Sequence, residues 1–194
     1  WELGNLTMEH KKTPDMLAGD YVREALKRGL AIEQKTGVNP YKLGMIGSTD
    51  SHTALATGDE DNFFGKHSGG EPSKERPSQA QNLGPNAGRF GWQYLAGGYA
   101  AVWAKANTRG AIFDAMAKRE VYATTGPRMV VRIFGGWDFT DADWKTNWVK
   151  AGYARGVPMG GDLKGGKGAP KFLISALKDP MGANLDRVQM VKGW

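Results

Sequence analysis

Residues 41–52 read YKLGMIGSTDSH, and the fold turns on how this stretch is taken. Positions 41–48 are rich in small and apolar residues and punctuated by Gly44 and Gly47, while the preceding Asn39-Pro40 pair stops any helix from running into them. We expect a short buried strand over 41–48 that ends directly in Thr49-Asp50-Ser51-His52. Upstream, Tyr21, Val22, Ala25, Leu26, Leu30 and Ala31 recur at helical spacing. Asp20 is a candidate N-cap and Gly37 a natural stop, so the pattern predicts a helix of about four to five turns over 20–36.

Downstream, residues 57–91 are polar, rich in Gly, Pro and Ser, and without periodicity, which reads as a long loop of the kind that carries function. A strand is expected at 99–104 (YAAVWA). After it, Asn107-Thr108 offers a cap to a helix over 109–118 with Ile112, Phe113, Ala115 and Met116 on one face. Residues 121–124 read as a strand, Gly126-Pro127 as a turn and 129–134 (MVVRIF) as another strand. Beyond that point the helical signal fades into a stretch rich in Trp and Gly, with Trp137, Trp144 and Trp148, and strands are expected at 171–177 and 187–191. The expected class is α/β, with an α/β part over 1–127 and a β-rich part over 128–194. No internal repeat is present.

Composition narrows the classes further. The chain of 194 residues is 40% hydrophobic and 10% aromatic, enough for a packed core, which excludes wholesale disorder. Its 28 Gly and 9 Pro argue against an all-helical bundle. No apolar run approaches the roughly 18 to 20 residues of a membrane span. The mean hydropathy of −0.50 agrees. The formal net charge is +6, but the basic residues are interleaved with acidic ones, so no nucleic-acid partner is expected. The chain opens on Trp-Glu-Leu-Gly-Asn, without a signal pattern, and stops just after an expected strand, so it reads as a piece of a longer protein.

With no Cys, disulfides, thiolate metal sites and cysteine nucleophiles are excluded. Chemistry falls to carboxylates, hydroxyls, Lys, Arg and three histidines, His10, His52 and His67. Asp50 and His52, two apart at the end of an expected strand, can turn toward one point, and strand ends face the ligand crevice in α/β folds. Their oxygen and nitrogen donors suit Zn, Mn or Fe, although catalytic centres take three or more protein ligands. The plainer alternative makes Asp50 a turn carboxylate and His52 a hydrogen-bonded surface residue. His67 follows Asp59, Glu60 and Asp61 in the long loop, where it is a further ligand, a proton shuttle, a phosphate contact or a solvated side chain. The acidic run itself suits either a solvated turn or a weak Ca²⁺ site. His10 lies in a charged stretch and reads as solvated. Arg128, after Thr124-Thr125-Gly126-Pro127, is a candidate contact for an anionic substrate, or part of a tight turn between strands. The three Trp read as packing anchors; exposed, they would instead form a binding platform.

Four segments together, 23–54, 60–69, 97–139 and 169–194, resemble the carboxyl-terminal part of the DUF3604 family, which is related to the PHP (polymerase and histidinol phosphatase) metal-dependent hydrolases. The resemblance implies the last part of a PHP-like distorted β/α barrel over 1–127, followed by a β-rich, sandwich-like appendage over 128–194. It implies a hydrolase, phosphoesterase-like, that holds divalent metal ions and acts on a small anionic ester. Asp50 and His52 match the late Asp-x-His motif that supplies metal ligands. The early His-x-His motif and the intervening ligands have no counterpart here, so the resemblance places them in a missing N-terminal segment of the same protein. The other reading is a non-catalytic binding or structural module with a vestigial metal site.

Overall fold

The computed structural model describes residues 12–19, 21–48, 74–75, 78, 80–82, 88–90 and 98–194. They fall into two compact units, one of Trp1–Leu43, Asp50–Gly97 and Gln189–Trp194, the other of Gly44–Thr49 and Gly98–Val188.

In the first unit a 3-10 turn at Pro14–Gly19 precedes helix α1, Val22–Thr36. The helix forms where the apolar spacing predicts, though its N-cap is Tyr21, without a side-chain cap bond, and not Asp20; it stops at Gly37, whose φ of 78° is the left-handed conformation that glycine adopts without steric cost. The Gly37 N–H donates to the Glu33 carbonyl at 2.8 Å, satisfying one of the last-turn acceptors. Only Gly29 of α1 is buried, and Val22 and Leu30 are about half exposed. Within the expected long loop, β1 (Ala80–Asn82) and β2 (Gly88–Phe90) form an antiparallel pair.

The second unit holds most of the regular structure. Strand β3 (Tyr99–Val102) leads to helix α2 (Arg109–Ala117), and β4 (Val121–Thr124) returns antiparallel to β3, with Tyr99 opposite Thr124. The Thr108 hydroxyl caps α2 by accepting from the Ala111 N–H at 3.3 Å, as the Asn107-Thr108 signal predicts. Then come β5 (Val130–Gly136), two short helices α3 (Asp141–Lys145) and α4 (Trp148–Arg155), β6 (Gly156–Pro158) and β7 (Lys171–Leu177). The last sheet has the order β6-β5-β7, antiparallel throughout.

The core sits where α4 crosses β5. Phe134 is fully buried, beside Phe139 and Leu173, and Trp148 and Val149 pack against this group. The Trp148 and Tyr153 rings meet Phe134 edge-on, at 5.8 and 4.9 Å between centroids. A Cβ at Gly152 would lie 2.4 Å from the Phe134 ring, so the helix approaches the strand this closely only with glycine there.

The architecture is therefore mixed α and β with small antiparallel sheets, and no closed barrel is present among the described residues. No described helix is long and apolar enough to cross a membrane. Three local expectations differ. The segment 42–48 forms no strand, and Tyr41, Leu43, Met45 and Ile46 are 38–53% exposed, because no described strand pairs with it. Residues 187–191 are likewise irregular and leave Val188, Met190 and Val191 exposed. Conversely, α3 and α4 occupy the stretch where the helical signal fades, because they are short and held by their caps. The Asp143 carboxylate reaches back to the Thr140 N–H at 2.8 Å, and the Asn147 side chain accepts from the Lys150 N–H at 3.0 Å.

Candidate functional site

The stretch that leads to the Asp-x-His pair is seated on β3 and β4. A Cβ at Gly47 would stand 2.8 Å from the Tyr99 carbonyl oxygen and 2.9 Å from that of Thr124. Backbone meets backbone there, which only glycine permits, and it explains why the small residues of 44–48 lie where they do. Gly98 is equally confined: a Cβ on it would stand 2.0 Å from the Thr124 carbonyl oxygen. Asp50, His52 and His67, the residues on which the metal reading depends, lie outside the described residues, as do His10, Asp59, Glu60 and Asp61. Among the described residues no group of three or more His, Asp or Glu side chains converges as a metal site.

Arg128 is described, and it is exposed. Its guanidinium lies over the Tyr99 ring, 5.6 Å from the centroid. Its backbone N–H donates to Asp179 Oδ2 at 2.6 Å, and the other carboxylate oxygen accepts from the Met181 N–H at 2.9 Å. These two amide donors hold the Asp179 carboxyl below its ordinary pKa, that of Arg128 contributing most. The turn after β4 is thereby clamped to the turn after β7, and the Arg128 side chain stands on the same residue, Tyr99, that Gly47 abuts.

A second polar centre escaped the reading of the sequence. Glu120 is 8% exposed. Arg132, on β5, approaches its carboxylate at 3.8 Å and donates to the Tyr153 hydroxyl at 2.6 Å, and that hydroxyl in turn donates to Glu120. The Arg132 guanidinium also stacks on Trp103, 4.1 Å from the ring centroid, and the Trp103 indole N–H donates to the Val131 carbonyl at 3.0 Å. Desolvation, and then its bond to Glu120, push the Tyr153 phenol above its usual pKa although the residue as a whole is 48% exposed. The Arg132 Nε is buried and has no hydrogen-bond partner among the described residues. The signal available was Arg132 itself, a cation inside the apolar run MVVRIF, which demands a buried partner.

Trp137, Trp144 and Trp148 separate in the structure. Trp137 is half-buried beneath Gly166 and donates to the Lys164 carbonyl at 2.9 Å, and Trp148 packs on the core. Trp144 is 46% exposed and leans on Trp148, with centroids 5.1 Å apart. It borders an open groove of about 370 Å³ shared with Phe172, Lys171 and Asp141.

The sequence model of one family, described as a protein of unknown function (DUF3604), matches residues 1–194. Comparison with curated proteins and with solved structures returns no match.

Proposed function

The chain belongs to the DUF3604 family along residues 1–194, and from that membership we propose that it is the carboxyl-terminal part of a metal-dependent hydrolase, phosphoesterase-like in its chemistry. In this reading 1–127 close a PHP-like distorted β/α barrel and 128–194 form a β-rich appendage. Asp50 and His52 supply one carboxylate and one imidazole to a centre of Zn, Mn or Fe, a donor set suited to those ions. The remaining ligands come from a segment upstream of residue 1, where the family resemblance puts the early His-x-His motif.

When bound, the metal ions lower the pKa of water and neutralise charge on an ester oxygen. The residues of this chain do the rest. Arg128 holds the anionic ester by its guanidinium, a geometry matched to two anionic oxygens. His67 gives its proton to the departing oxygen or serves as a further ligand. The observation that carries the reading is the shared footing on Tyr99: Gly47, three residues before Asp50, packs on its backbone, and Arg128 lies over its ring.

The test uses the protein extended upstream, with Asp50→Ala and His52→Ala. Metal content by plasma mass spectrometry and hydrolysis of p-nitrophenyl phosphate are both expected to fall by at least about a hundredfold for the double variant. Unchanged metal content and unchanged hydrolysis overturn the assignment. The second reading, a non-catalytic binding module with a vestigial metal site, draws on the exposure of Trp144.

A further inference from the structure

We infer that the groove between the start of α3 and the edge strand β7 is a binding site for a neutral oligosaccharide, with one sugar ring stacked on Trp144 and its hydroxyl groups held by Asp141 and Lys171. The groove is about 370 Å³, room for part of a short glycan lying across it. Its platform is rigid from below. Trp144 rests against Trp148 at 5.1 Å, and Trp148 meets the buried Phe134 edge-on at 5.8 Å, so the exposed indole does not have to be ordered when a ligand arrives. Phe172 supplies a second exposed ring from β7.

The polar groups select the ligand class. Among the described residues Asp141 and Lys171 are the only ionisable side chains lining the groove, and their charges cancel. A phosphorylated or carboxylated ligand meets Asp141, and a quaternary ammonium or a basic peptide meets Lys171, so neither sign of charge is favoured. A purely apolar ligand would cover the Asp141 carboxylate and the remaining N–H groups of Lys171 without hydrogen-bonding to either. A neutral sugar satisfies all of these terms, since its C–H face covers an indole while its hydroxyls both donate to a carboxylate and accept from an ammonium. Lys171 is already aimed, because its Nζ donates to the Phe139 carbonyl at 2.9 Å and keeps two further N–H groups.

This inference is independent of the hydrolase reading, since it uses neither Asp50, His52, His67 nor Arg128, and its readout is binding alone. The experiment titrates the full chain by calorimetry with cellohexaose, maltohexaose, xylohexaose, mannohexaose and chitohexaose, and in parallel with choline and inorganic phosphate. Saturable binding of at least one hexaose is expected. Trp144→Ala should weaken it about tenfold or more and Asp141→Asn about tenfold, whereas Trp144→Phe keeps it within about threefold. Asp141 is exposed, so its variant tests the site even if Trp144→Ala disturbs the fold. Absence of saturation by every hexaose at millimolar concentration overturns the inference. Binding that Asp141→Asn and Trp144→Phe leave intact and Trp144→Ala does not weaken overturns it too, as does binding of choline or phosphate in place of the sugars.

Discussion

Strand β5, VVRIFGG, and the segment 41–48, YKLGMIGS, are both apolar, both short and both punctuated by glycine. Their surroundings differ. Strand β5 has a partner strand on each side and a helix across one face, and its Phe134 is wholly buried. The other segment has no strand partner among the described residues and leaves four large apolar side chains exposed. The contrast teaches that apolar composition expresses a demand for burial, and that the demand is met only where β-pairing and a covering layer exist.

The comparison breaks most readily at Phe134. Phe134→Ala empties the space under Trp148 and Tyr153 and should cost about 3–5 kcal/mol in urea unfolding; a cost near zero would mean that this layer is no better packed than 41–48. Next in size, Glu120→Ala leaves Arg132 unpaired, with 16% of its side chain exposed, and should cost about 3 kcal/mol, part of which Arg132→Met in the same chain should restore. Smaller again, Leu43→Ser and Ile46→Ser should each change the stability of the 194-residue chain by no more than about 0.5 kcal/mol. The same changes in the protein extended upstream should cost roughly 1–3 kcal/mol each if the proposed barrel covers the segment. Equal effects in the two lengths of chain would remove the barrel from the reading.

The smallest effect concerns Asp179. Because its carboxyl titrates below the ordinary value when folded, its contribution is complete above the ordinary carboxylate range and is lost as pH falls through the depressed folded value. The Arg128 amide resonance, followed by NMR from about pH 6 to about pH 2, should shift in that acid window and not before. Asp179→Asn should abolish the shift.

Much of the local structure was legible. α1 with its glycine stop, α2 with its Thr108 cap, and β4 and β7 all lie where periodicity and capping place them, because each rests on signals within one turn or one alternation. The pairing of α3 and α4 was written in Thr140-Asp141-Ala142-Asp143 and in Asn147, but in helices of five and eight residues propensity is too weak to be heard over the surrounding Gly and Trp. Of the candidate site, the sequence offered Asp50, His52, His67 and Arg128 as chemical types, and the described structure locates Arg128.

What the sequence determined by itself is the set of short-range choices: where helices start and stop, which turns glycine must make, the absence of thiol chemistry, and membership of its family. What only the tertiary structure decided is which apolar runs become strands and which charges become partners. Glu120, Arg132 and Tyr153 are separated by 12 and 21 positions, and nothing local draws them together. They meet because β5 and α4 close over one core, and a charge taken out of water there must find its opposite.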